Sequence, residues 1–194
     1  AVPAATASPA AAYRIKGFRS AVFGMTQAQV RTAIAADFAG ATIAQVANPT
    51  EGTAALQIDL PQFVPGPGAA RVTYIFGATT RTLTHVNVVW LLDGEPDQAG
   101  RESLLKAAVA LAQYFRELPD PPKATTAVRP TGPNSLSMFA AVDAQAAAVE
   151  VTVQGVAYEA GGVASPVPHG PALLRVSYSR NAANPDIGPA RPRG

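Results

Sequence analysis

Residues 15–40 read IKGFRSAVFGMTQAQVRTAIAADFAG, and their centre is a helix start. Thr26 stands where an N-cap belongs and Gln29 follows three residues later, so a capping box would satisfy two orphan backbone donors reciprocally. Met25 before the cap and Val30 at the fourth helical position have the spacing of a hydrophobic staple. Val30, Ile34 and Phe38 recur with helical period, and Gly40 supplies the stop. Upstream, Phe18, Val22 and Phe23 are apolar, interrupted by Arg19 and Gly24. A short extended segment therefore feeds a short amphipathic helix, and both need a surface to pack on.

That surface is written in the strands that follow. Thr53 to Phe63 partly alternates, with Leu56, Ile58 and Leu60 on one face and Pro61 marking an edge or the end of pairing. Pro65-Gly66-Pro67-Gly68 is a turn, and Arg71 to Phe76 returns with Val72, Tyr74 and Phe76 facing one way. Thr82 to Leu92 is the best strand: Val86, Val88, Trp90 and Leu92 alternate against His85 and Asn87. These three strands predict an antiparallel meander.

Asp93-Gly94-Glu95-Pro96-Asp97 then starts a longer helix running to about Leu118, with Pro96 at its first position. Leu104, Ala108, Leu111, Phe115 and Leu118 form its apolar stripe, widened by Leu105 and Ala112. Pro119-Asp120-Pro121-Pro122 ends it, and the stretch to Asn134 reads as a loop. Strands are expected at Ser135 to Val142, Val149 to Tyr158 and Ala172 to Ser179, the last two separated by a mobile loop around Gly161-Gly162 and Pro166–Pro171. The order is helix, three strands, helix, three strands. It predicts an α+β fold of two tandem α-β-β-β units, with an antiparallel sheet and helices packed on one face. The expected divisions are a disordered leader at 1–13, a first unit at 14–93, a second at 94–179 and a flexible tail at 180–194.

Composition narrows the function. The chain has 194 residues, 48% of them hydrophobic and only 14% charged, with a net charge of +2. That balance gives no reason to expect nucleic acid or an anionic membrane as partner. No apolar run reaches the roughly 18 residues of a membrane-spanning helix. The absence of cysteine removes disulfides and thiol chemistry. The opening AVPAATASPAAA, together with the sparse charge, suggests an exported chain whose signal peptide has been removed, and hence a periplasmic location.

The run Gly24-Met25-Thr26-Gln27-Ala28-Gln29-Val30 resembles the G-M-T-x-x-Q-V opening of the SmpA/OmlA (BamE-like) envelope lipoproteins. That resemblance implies helical segments on a three-stranded antiparallel sheet, a module that β-lactamase inhibitor proteins use in tandem. The longer string GFRSAVFGMTQAQVRTAI is similar to a group of exported, uncharacterised proteobacterial proteins, which implies an envelope location and no particular activity.

The chemical inventory is thin. There are two histidines. His85 reads as an exposed sheet residue beside Asn87, and His169, between Pro168 and Gly170, sits in a flexible loop. Neither has a carboxylate or second histidine at ligand spacing, and no G-x-S-x-G elbow is present. Asp93, Glu95 and Asp97 begin like a calcium loop, but Gln98 and Leu104 stand where its glycine and glutamate belong, so they read as acids at a helix N-terminus. Gly66-x-Gly68 lies between strands and makes no phosphate loop. Arg14, Lys16 and Arg19 form a cationic cluster that reads as a solvated lead-in, with an anionic partner as the alternative. Tyr74, Phe76 and Trp90 belong to the sheet–helix interface. No catalytic, cofactor-binding or metal residue is singled out, and no cofactor is expected. The leading expectation is a non-enzymatic, exported interaction module binding another envelope protein through its sheet face or loops. The alternative is a periplasmic small-molecule or lipid carrier with a pocket between the long helix and the sheet, and an enzyme comes third.

Overall fold

The computed structural model describes residues 14–118, 124–125 and 127–188. The organising stretch folds as its sequence dictates. Strands β1 (Gly17–Phe18) and β2 (Ala21–Val22) form a small hairpin turning through Arg19 and Ser20, and α1 (Gln27–Asp37) follows. The Thr26 side chain accepts from Gln29 N, and the Gln29 side chain accepts from Thr26 N at 2.9 Å, completing the capping box. Val30, Ala33 and Ile34 are buried, and Phe38 forms the C-cap.

The remaining strands are β3 (Ala44–Asn48), β4 (Thr53–Leu60), β5 (Ala70–Phe76), β6 (Leu83–Leu92), β7 (Ala124–Thr125), β8 (Arg129–Gly132), β9 (Ser135–Val142), β10 (Ala148–Gln154), β11 (Glu159–Ala160), β12 (Val163–Ala164) and β13 (Ala172–Ser179). One antiparallel sheet runs in the order β3-β4-β5-β6-β13-β10-β9-β7, with β8 also pairing β9. The small hairpin β11-β12 stands apart from it. The fold is thus α+β, strand-rich, with two α-helices among the described residues.

Register explains the core. Leu56, Tyr74, Val86, Tyr178, Val149 and Ala141 lie opposite one another across six strands. The next row on that face is Ile58, Val72, Val88, Val176, Val151 and Phe139, every one at 2% exposure or less. Because side chains alternate with period 2, the intervening rows face the other way. One of these is Asp59, Arg71, Val89, Arg175, Thr152 and Ser137. The two faces therefore differ in chemistry, and the apolar one carries the contacts of the long helix. Helix α2 (Gln98–Arg116) buries Leu104, Ala107, Ala108, Ala112 and Phe115, and Phe115 stacks on Phe139 at 5.4 Å.

Several local expectations are refined. Helix α2 starts at Gln98, because Asp97 is the N-cap and accepts from Gly100 N at 2.8 Å; Pro96 stands one residue before the cap rather than at the first helical position. Strand β4 is not an edge, since β3 pairs outside it. Strand β10 ends at Gln154, four residues short of Tyr158, where Gly155 turns the chain. The stretch before Asn134, expected as a loop, contains β7 and β8. The stretch 180–188 is fastened to the rest: Asp186 accepts from Thr79 N, Thr80 N and Thr80 Oγ1 at 2.9, 2.9 and 2.6 Å, and Gly188 N donates to Glu51 O. Those three donors hold the Asp186 carboxyl down at about 2, against an ordinary 3.8. A Cβ on Gly77 would run into that same carboxylate, so a side chain there would displace Asp186. The expected leader at 1–13 and the tail beyond Gly188 lie outside the described residues.

Candidate functional site

Aromatic side chains from separate elements converge beside α2. Phe18 comes from β1, Phe38 from the end of α1, Phe63 from the turn after β4, Trp90 from β6 and Tyr178 from β13. Phe63 stacks on Trp90 at 5.7 Å, Phe18 meets Phe63 at 6.5 Å and Tyr178 at 5.5 Å, and Phe115 of α2 meets Tyr178 at 6.2 Å. The Trp90 indole N–H donates to Phe63 O at 2.7 Å, which fixes the 63–68 turn against the sheet. The turn can lie so close only because Gly66 has no side chain: a Cβ there would fall on the indole ring.

Above this floor is a cleft of about 570 Å³ between α2, the β1–β2 hairpin and the 63–65 segment. Its floor is Val88, Trp90, Val176 and Phe115; its walls include Phe18, Phe63, Leu111, Tyr114 and Tyr178. The volume lies within the range of small-molecule sites, and the lining has their mix of apolar faces with few polar groups. Among the described residues one charged side chain lines it. Arg19, exposed and in a left-handed backbone conformation (φ 52°), holds its guanidinium over the Phe38, Phe63 and Phe18 rings at 4.7, 5.1 and 5.8 Å. The nearby Asp37 carboxylate is taken by the Ser20 backbone N–H and hydroxyl at 3.0 and 2.6 Å. Among the described residues Arg19 makes no ion pair.

A second cavity, about 800 Å³, lies at the start of α2 against the 156–169 segment. Its polar groups are spent on architecture. Arg101, 6% exposed, donates to Pro96 O, Gly155 O, Gly170 O and Glu95 Oε1, while Glu95 Oε2 accepts from Gly170 N. His169 Nδ1 comes within 3.7 Å of Glu95, but both side chains are exposed and Glu95 is already bound twice. The segment expected as a mobile loop is thus tied at Gly170, and Asn134 Nδ2 donates to Val156 O and Pro166 O at its other side.

The sequence-predicted residues scatter. Asp97 caps α2 and Glu95 holds Arg101, so those acids act at the helix start. Arg14 and Lys16 line a different depression, with Asp143 and Arg180, away from Arg19. His85 is half-buried rather than exposed, and burial lowers its pKa. Thr84 Oγ1 donates to Ile75 O and so accepts from His85 Nδ1–H at 3.1 Å, leaving Nε2 to accept from Ser179 Oγ at 3.3 Å. A serine beside a neutral imidazole resembles half a triad. Yet a hydroxyl stands where an orienting carboxylate would, Ser179 is 7% exposed, and the group closes the β6–β13 seam instead. Sequence reasoning offered a pocket between the long helix and the sheet as its alternative but named none of the lining, because Phe63, Tyr114 and Tyr178 each belong to a different local pattern.

No family model, no curated protein and no solved structure matches the chain.

Proposed function

We propose that the protein is a non-enzymatic binding protein that carries a small apolar molecule in the cleft between α2 and the sheet. The observation that supports this reading is the cleft itself: a floor of fully buried apolar side chains, aromatic walls and a single cation. Such a site offers large contact area and one orienting charge, which suits binding and supplies no proton transfer or nucleophile. Location in the periplasm is part of the proposal and rests on the resemblance of residues 24–30 to the envelope lipoproteins and on the sparse charge. No helix among the described residues is long and apolar enough to cross a membrane.

The architecture is read here as two tandem units, α1 with β3–β6 and α2 with β7–β10 and β13, both helices lying on the apolar face. Support comes from the strand order, in which the last strand of each unit, β6 and β13, pair at the centre. Phe38 and Phe115 reaching one aromatic cluster support the common face.

A second reading, docking of another envelope protein on the opposite sheet face, is favoured by one observation. Asn87 Oδ1, Arg175 Nε, Thr152 Oγ1 and Ser137 Oγ, all on that face, are buried and have no hydrogen-bond partner among the described residues. Native mass spectrometry of the protein purified from its own envelope extract, with a pulldown from the same extract, separates the two. A retained mass of a few hundred daltons that is lost on unfolding supports the carrier. A stoichiometric protein partner with no retained small molecule overturns it.

A further inference from the structure

We propose that the ligand of the cleft is an aromatic carboxylate, bound with its ring between the aromatic walls and its carboxylate on Arg19. This deepens the carrier reading and rests on it.

The argument begins with the charge. Among the described residues Arg19 is the only charged one lining the cleft, and no acid lines it. Its guanidinium carbon lies over three rings, and its N–H fork can donate to a planar anion in bidentate fashion. The Asp37 carboxylate at the end of α1 is taken by the Ser20 backbone N–H and hydroxyl. The hairpin turn thus engages that acid through Ser20, and Arg19 makes no ion pair among the described residues. A guanidinium stacked on aromatic rings also keeps its charge beside an apolar floor without being buried in it.

The body of the ligand follows from the walls. Aromatic and aliphatic side chains share the lining, and Phe18, Phe63, Tyr114 and Tyr178, none of them buried, offer ring faces and edges. A planar ring gains offset or edge-to-face contacts there that a flexible chain does not, and loses less conformational freedom on binding.

The test is isothermal calorimetry of the full chain with 2-naphthoate, the neutral 2-naphthalenemethanol and decanoate. The expected order is 2-naphthoate tightest, with the alcohol and decanoate each at least about tenfold weaker, since a charge-assisted contact is at stake in the first comparison. Raising salt should weaken naphthoate and leave the alcohol unchanged. In Arg19→Gln the preference for acid over alcohol should vanish, and Arg19→Lys should restore part of it. Equal binding of acid and alcohol overturns the carboxylate assignment while leaving a small-molecule cleft standing. Decanoate binding as tightly as naphthoate overturns the aromatic assignment. If none of the three binds, the inference fails, and retained-ligand mass spectrometry still decides the carrier reading separately. The wild-type comparison of matched ligands does not depend on the Arg19 variants folding.

Discussion

Arg101 is the side chain whose removal should cost the fold most for its size. It is 6% exposed and makes four hydrogen bonds, three to backbone carbonyls and one to Glu95 at 2.9 Å. These join the first turn of α2 to the end of β10 and to the segment before β13. Hydrogen bonds to a charged group contribute about 1.5–3 kcal/mol each, so simple addition gives an upper bound of about 6–12 kcal/mol. The bonds share one guanidinium and are not additive, and a carbonyl released at the protein's edge regains water. Breaking a buried charged network by deleting one partner typically costs about 3–5 kcal/mol, and that is the expected loss for Arg101→Ala. For a chain of this length it corresponds to a fall in Tm of about 6–20 °C. Arg101→Lys should recover only part, because a single ammonium cannot span four acceptors. Glu95→Gln should cost about 1 kcal/mol or less, because the Glu95 side chain is 61% exposed. Urea unfolding followed by circular dichroism measures all three. Arg101→Ala within 1 kcal/mol of wild type would refute the view that this guanidinium fastens α2 to the sheet.

Other perturbations follow from the same geometry. Thr26→Ala should destabilise by about 1 kcal/mol and Thr26→Ser should be nearly silent, measured in the same unfolding assay, because the cap contact is a hydroxyl. Gly66→Ala should lower Tm and shift the emission of the single tryptophan, since the added methyl displaces the Trp90 ring. His85 titrates below its ordinary 6.5 when folded, so the unfolded chain binds more protons as pH falls through that value. Stability should therefore be full above about pH 7 and decline below 6.5, and His85→Gln should flatten that slope. Asp186 has the opposite chemistry: its folded carboxyl stays ionised down to about 2, so its contribution is present above 3.8 and lost as pH falls towards 2. Asp186→Asn should make the acid limb of the Tm–pH curve shallower.

Local periodicity made much of the sheet legible. Leu83–Leu92 and Ala172–Ser179 announce themselves because one face of each is buried apolar and the other is polar. Strand β3 did not, because all five of its residues are exposed and no alternation marks them. Strand β8 is equally silent, with Pro130 and Gly132 inside it. The pairing of Val88 with Val176 is also invisible locally, since nothing in either strand names its distant partner. The cleft suffers from the same limit. Phe18 stood in a short extended segment and Phe63 at the end of a strand, Tyr114 lies outside the apolar stripe of α2, and only the register of β6 with β13 brings Trp90 and Tyr178 to one face. Arg19 stood out as a cation, but its grouping with Arg14 and Lys16 hid that the hairpin turns it onto the rings instead.

The chain has one tryptophan, so its amide correlation spectrum contains a single indole N–H signal, that of Trp90 in the cleft floor. Following that signal while adding 2-naphthoate tests the central claim most directly. The account predicts a progressive, saturable shift of the indole signal, with the same midpoint as the heat of binding, because an aromatic ring held in a cleft that Trp90 lines must change the field at Nε1. Binding heat with an unmoved indole signal would place the ligand elsewhere and contradict the account.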